Sequence, residues 1–458
     1  EEYHPPMAEQ PGPRDTGSTG TTGSTGTTGT TIVLGHVVTP ASQTSSQTPG
    51  PTHLDIPDGA VAYAGGTIQA VGAADDVRAS YPDAAIVDEG DRLIVPGFVD
   101  AHVHFPQVDM IASPGLELLD WLENYTFPTE ARFADAAHAD ATADFFTDQL
   151  IANGVTTACV YSTVHPESVE ALFRRALENN LRIISGKVCM DRNAPEALLD
   201  TPDSAVADSV DLLERWHQVG RLEYAITPRF APTSSDAQLA ALGEMATAYP
   251  DVLIQTHLAE NTGEIAWVGD LFPDAVDYTD VYDRAGLVRR RSVFGHAVHL
   301  SERELTRLAA AEASIAHCPT SNFFLGSGMF SLARAQGLSG LRIGLGSDVG
   351  AGTSLSPLVT LNEAYKVSRM LGTPMDVPAL LRLATLGGAE ALGVDATVGS
   401  LEPGKDADLV VLDAHADANS AVLKRRADNA VNTGELLFAL MILGDERAVT
   451  RTVVAGDG

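Results

Sequence analysis

The residues able to do chemistry in this chain are histidines and carboxylates in a few short segments. His102 and His104 stand two positions apart in LIVPGFVDAHVHFPQ, residues 93–107. On a strand, residues i and i+2 point to the same side, so both imidazoles face one space, as a shared metal ion requires. A catalytic zinc usually takes about three protein ligands and a water. Further candidates follow in order: His257 and Glu260 in QTHLAE, His296 and His299 in FGHAVH, and Asp348 in GLGSDVG. Together they offer a nitrogen and oxygen donor set suited to zinc.

These residues need a scaffold that brings distant segments to one point. The middle of the chain alternates β-type runs with helical segments, which predicts an α/β fold, a (β/α)8 TIM barrel with a parallel sheet. Strands are expected at 98–104, 154–161, 182–190, 222–230, 252–258, 292–298, 314–318 and 342–348. Barrel enzymes carry their catalytic residues at the C-terminal strand ends, where each residue above falls. Short β-type runs precede the barrel (Ile32–Val38, Ala60–Ala64, Thr67–Val71, Ala85–Val87) and others follow it (Ala407–Leu412, Thr450–Val453). They predict a small β-sandwich domain built from both chain ends. The expected organisation is a disordered Gly/Ser/Thr tract over 1–30, a composite β-sandwich from 31–95 and 396–458, and the barrel over 96–395. A polar loop is expected at Ser42–Pro51.

Composition narrows the functional classes. The chain has 458 residues, 44% of them hydrophobic, and a net charge of −32 from 61 acidic against 29 basic side chains. Lysine occurs only at 187, 366, 405 and 424. Dispersed acid of this kind repels nucleic acid and anionic membranes, so neither is an expected partner. With lysine so scarce, it reads as a salt-loving organism's adaptation. No run approaches the ~20 apolar residues of a membrane helix, and no secretory leader opens the chain. Cys159, Cys189 and Cys318 sit in apolar segments and read as buried free thiols of a reducing cytoplasm. The PCxxC zinc signature of cytidine-type deaminases does not occur.

PGFVDAHVH, followed by His257, His296 and the GSD of Asp348, resembles the amidohydrolase superfamily. LLDWLENYTFPTEARF (118–133), GKVCMD (186–191), TPRF (227–230) and LATLGGAEALG (383–393) resemble the guanine deaminases within it. The resemblance implies a homodimer of purine catabolism with one zinc per chain, converting guanine and water to xanthine and ammonia. It implies His102, His104, His257 and Asp348 as zinc ligands and His296 as holder of the attacking water. Asp348 would take the water proton, and Glu260 would protonate ring nitrogen N3. Gln107 and Arg229 are implied to bind the purine's amide edge, with Phe230 packed beside the ring and His257 bordering it. Guanine's C6 carbonyl suits a donor such as Arg229. An amino group there would leave two donors opposed, at about 1–3 kcal/mol.

Other residues have plainer readings. Trp121, Tyr125 and Phe127 read as a lid over the pocket. Binuclear superfamily members bridge their metals with a strand-four lysine, but strand four here ends in Arg229, so Lys187 on strand three reads as a structural or pocket-edge charge. His299 and His317 read as hydrogen-bonded structural residues, and Asn322 either orients a loop or touches ligand. The rival activities are those of other amidohydrolase deaminases or chlorohydrolases, acting on 8-oxoguanine, S-adenosylhomocysteine or a triazine. A non-catalytic barrel scaffold is the rival outside enzymes.

Overall fold

In the computed structural model the described residues are 29–41, 53–114 and 117–458. The tract expected to be disordered, apart from its last two residues, and the Ser42–Pro51 loop lie outside them. The strands are β1 (Thr31–Pro40), β2 (His53–Ala64), β3 (Thr67–Ala73), β4 (Ala85–Pro96), β5 (Phe98–His104), β6 (Val155–Tyr161), β7 (Arg182–Gly186), β8 (Val188–Cys189), β9 (Glu223–Pro228), β10 (Leu253–Leu258), β11 (Ser292–His296), β12 (Ser314–His317), β13 (Arg342–Leu345), β14 (Leu409–Leu412) and β15 (Val449–Val453).

Strands β5, β6, β7, β9, β10, β11, β12 and β13 lie side by side in that order, all parallel, as the eight-stranded barrel. Their near-continuous apolar character follows from burial on both faces. Closure between the last and first strands runs through backbone: Asp348 N–H donates to His102 O and His104 N–H to Val349 O, each at 2.9 Å. Inside, Gln255 of β10 reaches across to β6, accepting from Cys159 Sγ at 3.1 Å and donating to Val160 O at 3.0 Å. Below the site the interior is filled by small and branched side chains, among them Val99, Ala101, Ile184, Ala225, Leu253, Val293 and Ala316. Outside, helices such as 136–152 and 302–310 pack on the strands, the latter started by a Ser301/Glu304 capping box.

The expected third strand is interrupted at Lys187. Lys187 is fully buried and its Nζ pairs with Asp200 Oδ2 at 2.6 Å, a structural ion pair. Strands from both chain ends join in a six-stranded mixed sheet, β15-β14-β4-β1-β2-β3, with β1 and β4 parallel and the other pairs antiparallel. Alternate residues (Val33, Val37, Val61, Ile94, Leu409 and Val411) form one apolar face; Ile32, Leu34, Ala60 and Ala62 lie on the other, against Val77 of helix 74–80. Only Gly97 separates β4 from β5, so this sheet is continuous with the barrel strand that carries the histidine pair. No described helix is long and apolar enough to cross a membrane.

Candidate active site

His102 and His104 project from the end of β5, His257 from β10, and Asp348 follows β13. One ligand atom from each lies within 4.8 Å of the others. His104 Nε2 is 3.2 Å from His257 Nε2 and 3.3 Å from Asp348 Oδ1. His102 Nε2 is 3.2 Å from the same Oδ1, yet out of line for a hydrogen bond, so this buried nitrogen has no hydrogen-bond partner. Nitrogens converging with a carboxylate oxygen, one of them orphaned, are what a cation-binding centre presents. Close approach is permitted by glycine. A Cβ on Gly295 would lie 2.5 Å from His102 Cε1, and one on Gly346 would lie 2.8 Å from His102 Cβ.

The protonation states suit that use. Burial pushes His102 down to about 4 and lowers His104 and His257 as well, keeping these imidazoles neutral, as metal ligation requires. Burial alone would raise Asp348, but His296 and the other facing imidazoles hold it well below the usual carboxylate range. His257 Nδ1 donates to the Arg229 carbonyl at 2.7 Å, which fixes its tautomer and aims Nε2 at the cluster. Asp100 accepts from the backbone N–H groups of His102 and Ser347, each at 3.1 Å, and so ties β5 to the loop carrying Asp348.

A second group stands beside the donor cluster. His296 Nε2 is 3.5 Å from Glu260 Oε2 and 3.7 Å from Asp348 Oδ2, and its Nδ1 bonds Asn322 Oδ1 at 2.9 Å. Burial opposes the charged form of His296, but the carboxylates of Glu260 and Asp348 outweigh it and raise its pKa. Burial lifts Glu260 to about 7, a value matched to proton donation near neutrality. Ser327 Oγ donates to Glu260 Oε1 at 3.0 Å; Glu264 accepts its backbone N–H at 2.9 Å and a Tyr278 hydroxyl at 2.7 Å. His296, Asp348 and the Ala259 before Glu260 have φ of 67°, 50° and 49°, a left-handed backbone that non-glycine residues adopt at a cost and that marks a functional turn.

These groups open onto a small pocket. Gln107, Arg229 and Phe230 line it as expected from the sequence, together with Leu118, Trp121, Leu122 and Leu325. Trp121 thus borders the pocket, whereas Tyr125 and Phe127 do not. Residues 122–126 form a π-turn, and Phe127, just after it, lies 5.8 Å from the Arg229 guanidinium. Asn322 orients His296; His299 bonds the Ser327 carbonyl at 2.7 Å, and buried His317 packs on Phe330 at 5.3 Å.

Sequence reasoning gave no role to Glu130. It is fully buried and accepts from Gln107 Nε2 at 2.9 Å and from Arg229 Nη1 at 2.9 and 2.7 Å. It lay inside a conspicuous segment, but a lone glutamate on a helical stretch reads as a solvated surface residue. Glu264 was hidden in the same way, four residues after Glu260.

Known proteins extend this picture. The amidohydrolase family model matches residues 93–457, and the bacterial imidazolonepropionase-like composite domain matches residues 59–84. The chain is 48% identical over 402 residues to a guanine deaminase of Escherichia coli strain K12, covering 88% of this chain and 91% of that protein. The solved structure of E. coli guanine deaminase superposes with a TM-score of 0.88 at 44% identity, over 93% of this chain and 98% of the other. The guanine deaminase from C. acetobutylicum with bound guanine in its active site gives a TM-score of 0.84 at 29% identity, over 93% and 99%.

Proposed function

The chain belongs to the guanine deaminases of the amidohydrolase family, and from that premise we propose that it hydrolyses guanine to xanthine and ammonia with one zinc ion per chain. The observation that carries this reading is the juxtaposition of a His102, His104, His257 and Asp348 donor cluster with Glu260 and a pocket wall of Gln107, Arg229 and Phe230. Three neutral imidazoles and a carboxylate would hold the ion. When bound, it supplies the Lewis acidity that brings a water's pKa down to about 7.

The protein's own groups do the rest. Arg229 and Gln107 bind the amide edge of the ring, with the purine against Phe230 and bordered by His257. This turns C2 towards the donor cluster. Water held by His296 adds to C2 while Asp348 takes its proton and Glu260 protonates N3. The C2–O bond forms as N3 gains the proton, so the ring accepts the electron pair. The proton held by Asp348 then passes to the exocyclic nitrogen, the C2–N bond breaks and ammonia leaves, while the C2 hydroxyl gives its proton to Glu260 as the carbonyl of xanthine forms. Trp121 and Leu122 keep bulk water from the ring.

The same reading takes 31–95 with 396–458 as one composite unit around a barrel of 96–395, supported by a sheet that draws strands from both ends. It also describes a cytoplasmic homodimer of purine catabolism, without nucleic-acid or membrane partners, from a high-salt setting. Buried free thiols and the acidic composition support the compartment and the setting. The deciding experiment offers the metal-loaded protein guanine, 8-oxoguanine, S-adenosylhomocysteine and a triazine, and measures ammonia or chloride. Guanine is expected to give one ammonia per xanthine. Turnover of another member of the panel with no xanthine from guanine would refute the reading.

A further inference from the structure

We propose that Glu130 determines which purine edge the pocket accepts, as a positioning residue acting through Gln107 and Arg229. This rests on the reading of guanine as substrate. Glu130 sits on the helical turn Phe127–Glu130, Gln107 follows β5, and Arg229 follows β9. One buried carboxylate thus joins three separate segments of the pocket rim. Its Oε1 accepts from both Gln107 Nε2 and Arg229 Nη1, each at 2.9 Å, and its Oε2 accepts from the same Arg229 nitrogen at 2.7 Å.

The consequence for Gln107 is directional. An amide can present either its oxygen or its nitrogen to a ligand, and its neighbours decide which. Here the nitrogen must face the Glu130 carboxylate, while the oxygen accepts the Gly350 N–H at 3.2 Å. The amide oxygen is thereby turned away, and what remains for a ligand is the second N–H. Arg229, which has only donors, is held beside it with its buried charge compensated. Both pocket-lining groups therefore show hydrogen-bond donors, which the two lone pairs of a single ring carbonyl can accept together and an amino group cannot. Glu130 does not itself line the cavity.

Replacing Glu130 with glutamine keeps the shape but leaves one acceptor oxygen where two are used, and sets an NH2 group against a donor. Gln107 can then rotate and offer its oxygen to the pocket. The pair of substrates that reads this change is guanine and 2,6-diaminopurine, which share the reacting 2-amino group and differ at C6. Wild-type protein should favour guanine strongly. In Glu130→Gln the ratio of kcat/KM for guanine over 2,6-diaminopurine should fall about tenfold or more, mainly through KM, with metal content unchanged. Glu130→Asp, which keeps the charge but draws it back by one methylene, should lower the same ratio and serves if the glutamine variant folds poorly. General loosening of the fold would depress both substrates alike. An unchanged ratio in a folded variant overturns the role of Glu130 alone, whereas wild-type protein that forms no xanthine overturns the substrate reading beneath it.

Discussion

The two walls of the cavity are built by different means. The donor wall (His102, His104, His257 and Asp348) rests on barrel strands, with each ligand set by backbone: β5 pairs with the loop after β13, and the Arg229 carbonyl holds His257. The reading wall (Gln107, Arg229 and Phe230) stands on loops and a short helical segment, and it is held by side chains converging on Glu130. Backbone ladders are rigid and tolerate neighbouring substitutions, whereas a side-chain network can be redirected by changing one carboxylate. Bond-breaking capacity and choice of ring should therefore be separable.

The largest effect should come from removing a ligand. His257→Ala is expected to lose metal and activity together towards every substrate, at least about 10²-fold in kcat/KM, since the centre supplies several kcal/mol. Elemental analysis alongside turnover checks it; retained metal with retained activity would remove His257 from the donor wall. Next comes Glu260→Gln, which should keep metal and guanine affinity but lower kcat by about 10² to 10⁴-fold, the usual worth of general acid catalysis. The pH profile carries the same claim with its sign. Burial raises Glu260 to about 7, so the acid form persists below that pH and is lost above it. kcat should accordingly fall as pH rises through the neutral range, and a rate still climbing well above neutrality would argue against Glu260 as the donor.

The smallest effect should fall on the exterior and spare both walls. A net charge of −32 repels itself across the folded surface at low salt, where the Debye length is about 30 Å at 0.01 M against about 3 Å at 1 M. Melting temperature should rise by several degrees between about 0.05 and about 3 M KCl while the guanine to 2,6-diaminopurine ratio stays constant. A flat melting temperature would show that the acidic surface is no salt adaptation.

This contrast also explains what the sequence made legible. Strand-borne features announce themselves by short-range pattern: the two-residue spacing of His102 and His104, the apolar runs ending in His257 and His296, and the GLGSD run that ends in Asp348. The eight barrel strands were placed within a few residues by the same logic. Glu130, Glu264 and the role of Asn322 have no such signature, because their partners lie between 4 and 99 residues away and the contact exists only after folding. The split at Lys187 was equally invisible, as was the ion pair that Lys187 makes with Asp200. Tyr125 and Phe127 do not border the pocket, and the contact of Phe127 with the Arg229 guanidinium joins residues 102 positions apart that no local pattern connects.

Arg229 belongs to both walls at once, its carbonyl holding His257 and its side chain lining the pocket. The most direct test is therefore Arg229→Ala, which deletes the side chain and leaves the carbonyl in place. Metal per chain and guanine kcat/KM, measured on the same preparation, decide the matter. Separable walls require metal at the wild-type level with guanine kcat/KM reduced about 10²-fold or more, as expected when a buried polar ligand edge loses its partner. Metal content falling in step with activity would contradict that division.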